Sequence, residues 1–161
     1  LNWSDYELSF QFKVLASCLG VIVRAVNLSN LVMLQIVPTG IRPHIRVNGA
    51  WMVWEAADAQ LEFRHPLDTN EWHECLLKCD KDALRIRVTQ ASSVLCDKAW
   101  KIPRGTLQFP LVDGGVYGQS VYEGPKTIPF AINLEYGTVG FRNDGAEEAI
   151  VRDMLIQRID I

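Results

Sequence analysis

The sequence predicts an all-β fold, a two-sheet antiparallel sandwich of the jelly-roll type, and three observations predict it. From Tyr6 to Val14 apolar and polar residues alternate without a break, as they do on a strand with one buried and one wet face. Turn-forming residues then recur about every ten positions, the rhythm of a sandwich or barrel. Helix patterning is absent: 147–154 is the one stretch with a helical look, and its place after Gly140-Phe141 favours a strand.

The elements follow in order. Residues 21–26 form a strand after Gly20, and the polar turn Asn27-Leu28-Ser29-Asn30 leads into the apolar run 31–37. Residues 41–47 set Ile41, Pro43, Ile45 and Val47 against Arg42, His44 and Arg46. Asn48-Gly49 is the strongest hairpin mark in the chain, since both residue types accept the positive φ of a type I′ turn. It hands over to a strand at 51–55, a short strand at 61–65, a loop at 66–71, and strands at 72–79 and 84–88 joined by a polar turn. Between Asp97 and Tyr136 prolines and glycines interrupt the pattern, so we expect short strands at 106–112 and 130–134 with a long excursion at 113–126. The run 149–161 closes the chain, and first and last strands are expected to be neighbours.

With 161 residues, 48% of them hydrophobic, the chain suits one core, and we expect one domain over 1–161. It starts at Leu1 with neither an initiator Met nor a signal peptide, which reads as a domain cut from a longer polypeptide. No apolar run approaches the roughly 18 to 20 residues of a membrane span, because 31–37 is interrupted by Gln35 and ended by Pro38. A net charge of −3 with both signs scattered argues against a nucleic-acid partner. Cys75 and Cys79 share one strand face roughly 13 Å apart and cannot bridge each other. The four cysteines therefore read as free buried thiols, with a bridge through Cys18 or Cys96 as the alternative. Zinc is not expected, since no C-x₂-C knuckle exists and His44, His65 and His73 are dispersed.

Several marks in sequence order carry a resemblance: Trp3-Ser4-Asp5-Tyr6 opening a strand, Gly20 to Ala25, the strand holding Gln35, Arg42 to Gly49, Trp72-His73, and Gly137 to Arg142. Together they resemble the concanavalin A-like, laminin G-like β-sandwich superfamily, over nearly the whole chain. The stretch 35–49 is most similar to the laminin G-like accessory modules of bacterial α-L-rhamnosidase-like glycoside hydrolases. That resemblance implies a glycan or polysaccharide partner, a neighbouring catalytic domain in the same polypeptide, and an extracellular or periplasmic setting. Calcium, which laminin G-like domains use, has one counterpart in Asp113-Gly114-Gly115, where a tight turn is the better reading; no cofactor is expected.

Catalytic chemistry finds little purchase. Glycosidases need two carboxyls at a fixed separation, and the Glu-x-Asp-x-x-Glu strand motif of the sandwich glucanases is absent. Glu55 with Asp58, Glu71 with Glu74, and Glu147 with Glu148 alternate faces or fall in loops. No nucleophile elbow or phosphate loop is present. The binding reading has more material. Arg42, His44 and Arg46 share one strand face, Arg85 and Arg87 another, and if those strands lie in one sheet they make a cationic surface suited to sugar hydroxyls, carboxylates or sulfates. Trp51, Trp100, Tyr117 and Tyr122 are the aromatic candidates for stacking on sugar rings. The expected function is thus a non-catalytic carbohydrate-binding or substrate-orienting module, with a structural spacer or a 3-keto-glycoside hydrolase as alternatives.

Overall fold

The computed structural model of the chain describes residues 3–53, 61–102, 105–110, 127–132 and 134–159. Among these are β1 (Tyr6–Ala16), β2 (Leu19–Asn27), β3 (Asn30–Val37), β4 (Gly40–Val47), β5 (Ala50–Val53), β6 (Leu61–Glu62), β7 (His73–Asp80), β8 (Ala83–Gln90), β9 (Ser93–Lys101), β10 (Gly105–Pro110), β11 (Thr127–Ile132), β12 (Thr138–Arg142) and β13 (Glu148–Arg158). All the ladders are antiparallel, and no helix occurs among the described residues.

Two sheets make the sandwich. One runs β13-β1-β7-β8-β9, and the other runs β12-β2-β3-β4-β5 with β6 paired to β4. β10 and β11 form a separate two-stranded ribbon. The sequence pattern explains the division of faces. Tyr6, Leu8, Phe10, Phe12 and Val14 from β1, His73, Cys75, Leu77 and Cys79 from β7, and Leu84, Ile86 and Val88 from β8 all point inward and are buried. From the facing sheet, Val21, Val23, Val32, Leu34, Ile36, Ile41 and Ile45 complete one core. Burying side chains of this size stabilises by roughly 1.5 to 3 kcal/mol each, which makes the shared interior the main source of stability.

The first and last strands are neighbours as expected, from Tyr6 opposite Arg158 to Ala16 opposite Glu148. Asn48 and Gly49 have φ of 49° and 86°, as a type I′ hairpin requires. The four cysteines are free and buried. Among the described residues no helix is long and apolar enough to cross a membrane, and no group of three or more His, Cys, Asp or Glu is placed to hold a metal ion. Asp113 to Gly115, Tyr117 and Tyr122 lie outside the described residues.

Candidate functional site

The outer face of the second sheet is built from three cross-strand rows. In the first row Arg142 of β12 stands opposite Gly20 of β2, Gly20 opposite Gln35 of β3, and Gln35 opposite Arg42 of β4. In the second, Ile22, Met33 and His44 are successive partners. In the third, Leu31 faces Arg46, and Arg46 faces Trp51 of β5. Directly opposed residues of antiparallel strands share a face, so register alone gathers Gln35, Arg42, His44, Arg46, Trp51 and Arg142 on one side of the sheet.

Trp51 organises this face. Its ring centroid lies 5.3 Å from the Arg46 guanidinium and 5.7 Å from that of Arg142, which reaches it from the far edge of the sheet. His44 meets the indole edge-on at 6.1 Å. Gly20 lets Arg142 lie close: a Cβ there would sit 3.1 Å from Cβ of Arg142 and 3.2 Å from Sδ of Met33. With Arg142 and Trp51 lying across the face, Met33, Gln35 and His44 are buried, whereas Arg42 is exposed.

Each arginine is held differently. Arg142 pairs with Asp144 and, at 3.6 Å, with Glu147, whose other oxygen accepts the Asp144 N–H at 2.8 Å. Gln35 also donates to Glu147, at 3.4 Å. Arg46 gives its N–H groups to backbone, Nε to the Gly49 carbonyl and Nη1 to that of Leu28, both at 3.0 Å. Arg42 has no ion pair among the described residues. Burial and the neighbouring Glu147 push the Cys18 thiol at the rim up to about 12, so it stays protonated.

Burial lowers the His44 pKa from 6.5 to about 4, so the ring is neutral near pH 7 and serves as a hydrogen-bonding and packing group rather than a cation. The folded value lies below the unfolded one, so between them the unfolded chain binds more protons. The contribution of His44 is therefore complete above about pH 6.5 and is lost as pH falls toward 4, by on the order of 3 kcal/mol. Denaturant unfolding at stepped pH should show a smaller acid loss in His44→Gln than in the parent. Equal losses would place the effect elsewhere, first at His73, whose pKa is also lowered by burial.

The expected single cationic surface is corrected. β4 and β8 belong to different sheets, so Arg42, His44 and Arg46 lie on one outer side of the sandwich and Arg85 and Arg87 on the other. Arg85 is engaged by Asp97, with Nε and Nη2 donating to its two oxygens at 2.7 and 2.8 Å. That pair lowers the Asp97 pKa through the hydrogen bonds from Arg85. Arg87 lines a groove of about 500 Å³ with Ser9, Gln11, Glu74, Leu76 and Asp153. Trp100, read from sequence as a surface platform, is 5% exposed and belongs to the core, because β9 places it opposite buried Leu84. Trp72 carries Arg152 at 3.6 Å and Lys13 at 5.1 Å on its ring.

Sequence reasoning did not single out Arg142, Gln35 and Glu147 as site residues. The available signal was the alternation of β12, where Phe141 turns inward onto Phe10 at 5.1 Å and so sends Arg142 outward. No protein-family model and no curated protein sequence matches the chain. Solved structures do match it. The carbohydrate-binding module CBM66 from Bacillus subtilis superposes with a TM-score of 0.54 at 12% identity, covering 98% of this chain and 77% of that one. Sheep galectin-11, solved in complex with glycerol, superposes with a TM-score of 0.51 at 10% identity, covering 98% and 93%. At such identities the likeness is one of fold, a two-sheet antiparallel β-sandwich.

Proposed function

We propose that this chain is a non-catalytic carbohydrate-binding module whose site is the outer face of the β12-β2-β3-β4-β5 sheet. The observation that carries the reading is the convergence of Arg42, Arg46, Arg142, Gln35, His44 and Trp51 on that face. Guanidinium groups in fixed positions, set around an indole, supply the directed donors and the flat apolar surface that sugars use. The fold likeness to a carbohydrate-binding module and a galectin supports it. In its finer form the module is laminin G-like and orients a polysaccharide for a neighbouring α-L-rhamnosidase-like catalytic domain, a setting supported by the sequence resemblance.

The test is a glycan array that includes rhamnose-containing polysaccharides, followed by calorimetry on the best ligand. Trp51→Ala should weaken binding by about tenfold or more, the loss of one well-placed aromatic or cation–π contact, while thermal unfolding stays cooperative. Absence of any saccharide ligand would overturn the reading. It would favour a structural interaction domain instead, which has its own support in Ile150, Met154 and Leu155 of β13, all exposed.

A further inference from the structure

We infer that the ligand of this face is an acidic oligosaccharide, bearing carboxylate or sulfate groups, rather than a neutral sugar; the inference rests on the carbohydrate-binding reading above. The charge inventory of the face is the starting point. Arg42, Arg46 and Arg142 stand against Asp144, Glu147 and Glu62, the last opposite Gly40 at the β6 edge, with His44 held neutral by burial. Three positive and three negative groups balance in number, but Arg42 and Arg46 have no carboxylate partner among the described residues, in a chain whose formal net charge is −3. Uncompensated cations on a protein of opposite sign are informative, because net charge would favour the reverse.

The unpaired cations are localised. Asp144 and Glu147 are spent on Arg142, and Glu62 makes no ion pair among the described residues. Arg46 directs its hydrogen bonds to two carbonyls, which fixes its position without neutralising it. Arg42 is exposed and has no carboxylate partner among the described residues. The two arginines whose charge is not balanced therefore lie four residues apart on the same face of β4. At a strand rise of about 3.3 Å their backbones are roughly 13 Å apart. That span suits an oligosaccharide with repeated anionic groups better than one monosaccharide. A neutral sugar needs donors and acceptors together, whereas paired arginines offer donors only and match carboxylate or sulfate oxygens.

Calorimetry with matched probes tests this. Polygalacturonate oligosaccharides and their carboxyl-reduced neutral counterparts form one pair. Chondroitin sulfate oligosaccharides and their desulfated, carboxyl-reduced counterparts form the other. The acidic member should bind about tenfold or more tighter at low salt, and most of that advantage should vanish near 1 M salt, where screening acts over about 3 Å. Arg42→Ala should remove the preference, while Arg87→Ala, on the opposite side of the sandwich, should leave it intact. Binding of polygalacturonate shows carboxylate recognition, and binding of chondroitin sulfate that is lost on desulfation with the carboxylates left intact shows sulfate recognition. Equal affinity for acidic and neutral members, or equal losses in Arg42→Ala and Arg87→Ala, would overturn the inference and leave the carbohydrate-binding reading standing. Silence of every saccharide on the array would remove both.

Discussion

Asp5→Ala is expected to destabilise the fold by about 3 kcal/mol, because it leaves the Arg24 guanidinium buried without a counter-charge. Arg24 sits where β2 departs from regular pairing, with φ of 52°, and its side chain is fully buried. Its backbone N–H donates to the Tyr6 hydroxyl at 3.2 Å and its Nη2 to the Lys81 carbonyl at 2.8 Å. Oδ1 of Asp5 lies 3.8 Å from that nitrogen and accepts the Lys81 N–H at 2.7 Å. One carboxylate thus ties β2 of one sheet to the β7–β8 turn of the other. Breaking a buried pair costs about 3 to 5 kcal/mol, and the low end applies here because the separation is long and Asp5 keeps an edge to water. Asp5→Asn, which can still accept from Lys81, should cost less. The decisive comparison is the cycle with Arg24→Met, which removes the charge and keeps most of the volume. Asp5→Ala should cost much less in the Arg24→Met background than in the parent. Equal costs in the two backgrounds would show that the carboxylate acts through the Lys81 hydrogen bond alone.

What the sequence disclosed about this molecule was local. β1 could be read because its outer face is wet, so burial alternates strictly from Tyr6 to Val14. The Asn48-Gly49 hairpin was legible because positive φ restricts residue choice at that turn. β3 shows where alternation fails. From Leu31 to Val37 every residue is buried, because the core lies on one side of the strand and the site residues on the other. A strand covered on both faces loses its period of two, and with it the mark of which side is functional.

The site was half legible for a related reason. Alternation along β4 places Arg42, His44 and Arg46 on one face, and the structure keeps them there. Which strands join β4 is a matter of long-range pairing, and no local pattern encodes it. The condition that would join Arg85 and Arg87 to β4, one shared sheet, therefore fails, and Arg142, far off in sequence but two strands away from β3 in space, carries no local mark of its place. Trp100 is near the proline- and glycine-rich segment in sequence, which suggests exposure, but the register of β9 with β8 turns it into the core.

The segment that brings Arg142 into place has its own sharp requirement, and Gly137→Ala is expected to destabilise by more than about 3 kcal/mol through backbone overpacking that no rotamer can relieve. Gly137 has φ of 156°, and a Cβ there would lie 2.6 Å from the carbonyl carbon of Arg24 and 2.7 Å from the nitrogen and carbonyl carbon of Ala25. It also bridges Trp3 directly before β12 begins. Two other glycines supply controls within the same region. Gly145 has φ of 59° with nothing within 4 Å of its would-be Cβ, so Gly145→Ala carries only the left-handed backbone cost, about 1 kcal/mol. Gly140 has open space and no positive φ, so Gly140→Ala should be close to neutral. Urea unfolding of the three variants should rank them in that order. A Gly137→Ala protein no less stable than Gly145→Ala would show that β12 can shift away from β2. In that event saccharide affinity should fall even where the fold survives, because a displaced β12 carries Arg142 off the ring of Trp51.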